Sequence, residues 1–190
     1  EIHFNALNLA LAGIDPSYVI TLEEQRATYE GMTTRTKLRT LLDIKGLPEQ
    51  CHKDVWNKKQ EYTASMFSSI GYDREMVSHI GFIKSFGIKV AVASNSIRNT
   101  LDAALTSMGI QDLIDLSLSN EDVLNPKPSP EIYNMCMNQL STLPNKTVVL
   151  EDSKIGIIAA KASGARVEVV KNRGQIDLPF IMRVVGLLDD

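Results

Sequence analysis

The chain has 190 residues, 44% of them hydrophobic, enough for one packed domain or a domain with a small insertion. Its 20 basic and 23 acidic residues are dispersed, for a formal net charge of -3, and no basic block argues for a nucleic-acid partner. No apolar run approaches the length of a membrane span, so a membrane partner is not expected either.

In chain order, helices come first. Ile2, Ala6, Leu7, Leu9, Ala10 and Leu11 give an apolar face that Gly13 ends. "TLEEQRATYEG" has Thr21 as a cap, acidic residues in its first turn and Gly31 at its end. "TTRTKLRTLLDIKG" repeats the design to Gly46, and a long polar helix follows from about Pro48 to Ser69, with Val55, Tyr62, Met66 and Phe67 on its more apolar face. From about Glu75 strands alternate with helices: "IKVAVAS", "NTLDAALTSMG", "DLSLS", "SPEIYNMCMNQL", "TVVLE", "KIGIIAAKASG" and "ARVEVV". That alternation predicts an α/β fold with a parallel sheet, including strands near 88–94, 147–151 and 166–170, over residues 76–190. Residues 1–75 are expected to form a helical cap.

Ligands of open α/β sheets bind beyond the carboxyl ends of the strands. Three groups fall there. Ser94, Asn95 and Ser96 follow "KVAVA", where small polar groups at a strand-to-helix turn suit an anion or simply cap the next helix. Lys127 lies between Pro126 and Pro128, which fix an extended backbone around it; a plain loop is the alternative. Glu151 and Asp152 end "TVVL", a strand apolar enough to be buried on both faces. Carboxylates there need a cation, and Mg²⁺ is held by one or two carboxylates together with phosphate and water oxygens. The alternative is a surface acid pair capping a helix. His3, His52 and His79 have no metal spacing and receive no role. Cys51 and Cys136 form no CxxC pair and read as free packing thiols in a reducing, cytoplasmic setting.

A serine, a lysine and an acid pair at successive strand ends resemble the second, third and fourth motifs of the haloacid dehalogenase superfamily, carried here by "VAVASNS", "NPKPSPEIY" and "VVLEDSKIGIIAAKASGA". "IHFNALNLAL", "YEGMTTRTKL" and "KGLP" resemble the helical cap of its β-phosphoglucomutase-like branch. The resemblance implies a Rossmann-like core with a helical cap. Pro126 departs from it, standing where the family usually has glycine. The family's first motif, DxDG(T/V), with its nucleophilic and acid/base aspartates, occurs nowhere in the 190 residues. The central strand that carries it is therefore also expected to be missing, and the chain is expected to be a fragment.

The resemblance implies a Mg²⁺-dependent phosphatase of a small phosphate ester, a sugar phosphate foremost, working through an aspartyl phosphate. Asp152 would hold the metal together with the missing first motif, with Glu151 behind it or as an alternative ligand. Ser94 would bond a phosphoryl oxygen, Lys127 would offset charge, and Asn95 and Ser96 would set the loop. Thr34, Arg35 and Lys37 fall where related caps reach toward substrate, although a solvated helix face explains Arg35 and Lys37 equally well. Two other readings stay open: a phosphomutase, and a binding module without catalysis.

Overall fold

The structure is a computed structural model in which residues 2–30 and 32–187 are described. The chain divides into two compact units, Glu1–Gly71 and Tyr72–Asp190.

The first unit contains no strand among its described residues. Helix α1 (Ile2–Ala12) turns Ala6, Leu7, Ala10 and Leu11 inward and lies along α4 (His52–Ser68). Between them come a one-turn α2 (Leu22–Glu24) and α3 (Thr34–Lys45). Thr21 and Glu24 close a reciprocal capping box, as a threonine followed three residues later by glutamate should. The helix expected from there to Gly31 does not continue as α-helix; it widens into a π-helical turn, Gln25–Tyr29, and Gly31 itself lies outside the described residues. Gly46, with φ of 71°, ends α3 in the left-handed conformation that glycine adopts without steric cost. Leu7, Leu11, Ile20, Tyr29, Leu38, Leu41, Leu47 and Val55 form one core. The Asn8 side chain fastens the connection to it, donating to the carbonyl of Ile20 (2.7 Å) and accepting from its amide (2.9 Å).

The second unit runs α5 (Arg74–Lys84), β1 (Ala91–Ala93), α6 (Arg98–Met108), β2 (Leu116–Leu118), α7 (Glu131–Gln139), β3 (Val148–Glu151), α8 (Lys154–Ala162), β4 (Arg166–Val169) and α9 (Leu178–Val184). β1 pairs in parallel with β2, and β3 with β4, each pair joined by the helical crossover that parallel pairing requires. Ile80, Leu101, Leu105 and Ile110 form a core beside the first ladder. Leu118, Ile132, Tyr133, Met137, Val149, Ala159 and Ala160 form a second. The ends of the unit are tied by Arg173, whose guanidinium donates to both carboxylate oxygens of Asp73 at 3.0 and 2.9 Å. Asp73 also caps α5 through the Met76 amide.

Two expectations need revision. The single parallel sheet is two separate two-stranded ladders, because no described strand hydrogen-bonds the outer edge of β1 or of β3. The strand ending in the acid pair is not buried on both faces either: Leu150, on the face opposite Val149, is 37% exposed. An apolar strand stays dry on both sides only where something covers both, and β3 is covered on the Val149 side alone. No helix among the described residues is long and apolar enough to cross a membrane.

Candidate active site

The ladders end at a common place, marked by Lys127. Its side chain is buried, and Nζ donates to the carbonyl oxygen of Ala93, the last residue of β1, at 3.0 Å. The same ammonium is ion-paired with Glu151 Oε1, at the end of β3. It also sits 4.7 Å above the centre of the Tyr133 ring. The strand ends of both ladders thus meet on one cation. Its backbone is held too: Asn95 donates to the Lys127 carbonyl (3.2 Å) and accepts from its amide (3.1 Å). Asn95 belongs to the turn after β1, so one amide side chain bonds that turn to the lysine loop, whose Lys127–Pro128 peptide is cis.

Glu151 occupies the same strand face as Val149, and the period of two in a strand carries it inward. Oε1 accepts from Lys127 and from the Tyr133 hydroxyl (2.6 Å). Oε2 accepts from the Asp152 and Ser153 amides (3.2 Å each) and the Ser153 hydroxyl (3.0 Å). Burial alone would raise this carboxyl, but Lys127, Tyr133 and the Ser153 amide hold it below the usual carboxylate range. Gly156, one turn into α8, leaves the room: a Cβ there would overlap the Glu151 carboxylate.

Asp152 is exposed, and no cation pairs with it among the described residues. The helix cap at this place is Ser153, whose hydroxyl accepts from the Gly156 amide at 3.1 Å. Ser94 is half-buried; its amide extends the first ladder to Leu118 (2.9 Å) and its hydroxyl accepts from the Ser96 amide (3.0 Å). The Ser96 carbonyl in turn accepts from the Asn120 amide beyond β2 at 3.1 Å. Ser94, Asn95, Ser96, Lys127, Glu151 and Asp152 therefore belong to one end of the second unit.

Thr34, Arg35 and Lys37 lie on the first turn of α3 in the other unit. Thr34 is half-buried and Arg35 exposed. Lys37 donates to Gln25 Oε1 at 3.0 Å, and burial lowers its ammonium from the ordinary value. Sequence reasoning passed over a neighbouring residue. Lys59 is buried, with Nζ 3.3 Å from His3 Nδ1 and no carboxylate partner among the described residues. Burial first, and Lys37 second, bring it down to about 8. Its signal was present: Val55, Lys59 and Thr63 recur every four residues along α4, placing a lysine inside the buried stripe.

A buried lysine thus bridges the ends of two parallel ladders, with a serine turn on one side and an acidic strand end on the other. The family model described as haloacid dehalogenase-like hydrolase matches residues 1–170, and the chain belongs to that family. It is 32% identical over 127 residues to a phosphorylated carbohydrates phosphatase of Thermotoga maritima, covering 67% of this chain and 57% of that protein. It is 27% identical over 122 residues to a putative phosphatase, YhcW, of Bacillus subtilis, covering 64% and 56%. The chain thus spans little more than half the length of these relatives. Among solved structures, CbbY from Rhodobacter sphaeroides in complex with phosphate superposes with a TM-score of 0.78 at 24% identity, covering 90% of this chain and 79% of that one.

Proposed function

We propose that this chain forms most of a Mg²⁺-dependent phosphatase of small phosphorylated metabolites, sugar phosphates foremost. The observation that carries the reading is the Lys127 ammonium, buried at the meeting point of the strand ends with one exposed carboxylate, Asp152, a residue beyond its partner. Asp152 fits a hard cation, being an exposed oxygen donor with no cationic partner among the described residues. Asp152 would be one ligand of such an ion, with phosphate and water oxygens among the others. Glu151, with both oxygens engaged, serves behind it. When bound, Mg²⁺ supplies charge neutralisation during phosphoryl transfer.

The chain's own groups do the remaining work. Ser94 donates its hydroxyl to a phosphoryl oxygen, and Ser96 fixes the turn. Lys127 spends two N–H groups on Ala93 and Glu151 and keeps the third for an anionic oxygen. Asn95 holds the lysine's backbone. The nucleophile we assign to an aspartate on a further strand entering between β1 and β3, whose outer edges have no strand partner among the described residues. In the helical unit, Thr34, Arg35 and Lys37 are assigned to substrate contact.

Asp152→Asn in the natural full-length protein tests the reading. Turnover of p-nitrophenyl phosphate with Mg²⁺ should fall by about a thousandfold or more. Metal-free melting temperature should hold or rise, since a charge beside Glu151 is removed. Retained turnover with a lowered melting point would sink the assignment. The 190-residue chain alone, without a nucleophile, should show no turnover.

A further inference from the structure

Tyr133 is not among the residues to which the phosphatase reading gives a role, yet it touches both partners of the buried ion pair. It is the third residue of α7, six residues beyond Lys127, and the first turn of the helix folds it back beneath the lysine. Its side chain is buried. A phenylalanine would fill the same space and present the same ring face to the ammonium. The hydroxyl adds one thing: a hydrogen bond of 2.6 Å to Glu151 Oε1, the same oxygen that holds Lys127.

We propose that Tyr133 is a positioning residue for phosphoryl transfer, its hydroxyl fixing the Glu151 carboxylate that aims the Lys127 ammonium while its ring supports that ammonium from below. The proposal rests on the phosphatase reading above.

Oε1 is the critical atom. Oε2 is anchored by three donors from the strand-to-helix turn, all within two residues of Glu151. On Oε1 the described donors are only Lys127 and Tyr133. Without the phenol, the lysine, itself held at Nζ by the Ala93 carbonyl alone, would be the only described donor left to set that oxygen's direction. The ammonium would follow the carboxylate, because it is the flexible partner on a four-carbon stem. With the phenol present, a donor mounted on the first turn of a helix fixes Oε1, and the lysine meets a fixed acceptor. The phenol is the donor in this bond, because the carboxylate oxygen can only accept. Gly156 closes the opposite side by leaving the carboxylate its space.

The test is Tyr133→Phe, which keeps ring, packing and cation–π contact and deletes only the hydroxyl. In the 190-residue chain, with neither metal nor substrate, the ¹H–¹⁵N correlation of the Lys127 ammonium reports its local geometry. That signal should shift or broaden in the variant. In the full-length protein, kcat for p-nitrophenyl phosphate should fall about tenfold to a hundredfold, the range for losing one hydrogen bond to a charged group, with KM changed less than about threefold. A buried hydroxyl that is merely satisfied would lower the melting temperature and leave both the ammonium signal and kcat as in the parent; that result overturns the proposal. Lys127→Met separates it from the reading beneath it. Intact turnover in Lys127→Met refutes the phosphatase assignment and this inference with it. Abolished turnover there, with Tyr133→Phe equal to the parent, refutes the role of Tyr133 alone.

Discussion

Each unit buries a lysine, Lys127 at 8% exposure in one and Lys59 at 7% in the other, and the two are accommodated in opposite ways. Lys127 has a carboxylate, a carbonyl and an aromatic face around it. Lys59 has an imidazole nitrogen at 3.3 Å, and the second influence on its charge is another cation, Lys37. A buried charge is tolerated when it is paired and hydrogen-bonded; otherwise it sheds its proton more readily or awaits an anion. The contrast separates a lysine whose position is built into the fold from one with no carboxylate beside it among the described residues.

The contrast breaks most visibly at Lys127→Met. Methionine fills the volume but leaves Glu151 as a buried carboxylate without its counter-charge. Chemical denaturation should show a loss of about 3–5 kcal/mol, the cost of removing one partner of a buried pair. A loss under about 1 kcal/mol would mean that the pair is wetter than its geometry implies.

Gly156→Ala attacks the same pocket without touching a charge. The added methyl overlaps the Glu151 carboxylate, so the acid or α8 must move. Helix propensity favours alanine by about 1 kcal/mol, yet overpacking should win and give a net loss of about 1–3 kcal/mol. A net gain in melting temperature would show that Glu151 is free to swing away, and the fixed acceptor for Lys127 would be gone with it.

Lys59→Met should run the other way and stabilise, by about 1–2 kcal/mol at pH 7, because it removes an unpaired buried cation. The pH dependence supplies the check. Lys59 is lowered from 10.5 to about 8, so between these values the unfolded chain binds more protons than the folded one. Stability of the parent therefore rises with pH across that window, and the advantage of the methionine variant should fade toward pH 10.5. A constant advantage, in melts taken from pH 7 to 10.5, would mean that Lys59 carries no penalty for its charge.

The strand ends were legible in the sequence because each follows a short apolar run, "KVAVA" or "TVVLE", and their polar residues stand out against it. Length was less so: β1 covers only Ala91–Ala93, since pairing with β2 sets its extent and hydropathy does not. The acid pair looked like one feature and is two. Alternation along β3 buries Glu151 and turns Asp152 outward, a distinction visible once Val149 is known to face the core. Lys59 escaped notice because a cation in an apolar stripe reads as a break in the stripe. Tyr133 escaped it because its contacts span 18 residues to Glu151 and no local pattern marks them.

The clamp between Asp73 and Arg173 spans 100 residues, and this bears on how the second unit comes together. Its crossovers join neighbours in sequence, so each ladder can assemble as its own segment emerges from a ribosome. The clamp cannot, because one of its jaws is made 100 residues after the other. Contacts of such separation incur their loop entropy before returning any energy. Until Arg173 arrives, α5 is held at the start of the unit by its cap on Met76, by the bond from the Asp73 amide to the Met108 carbonyl (3.1 Å) and by Ile80 against Leu101 and Leu105. A chain that stops before residue 173 should therefore yield α5 to protease sooner than a chain that includes it, with its ladders protected equally in both.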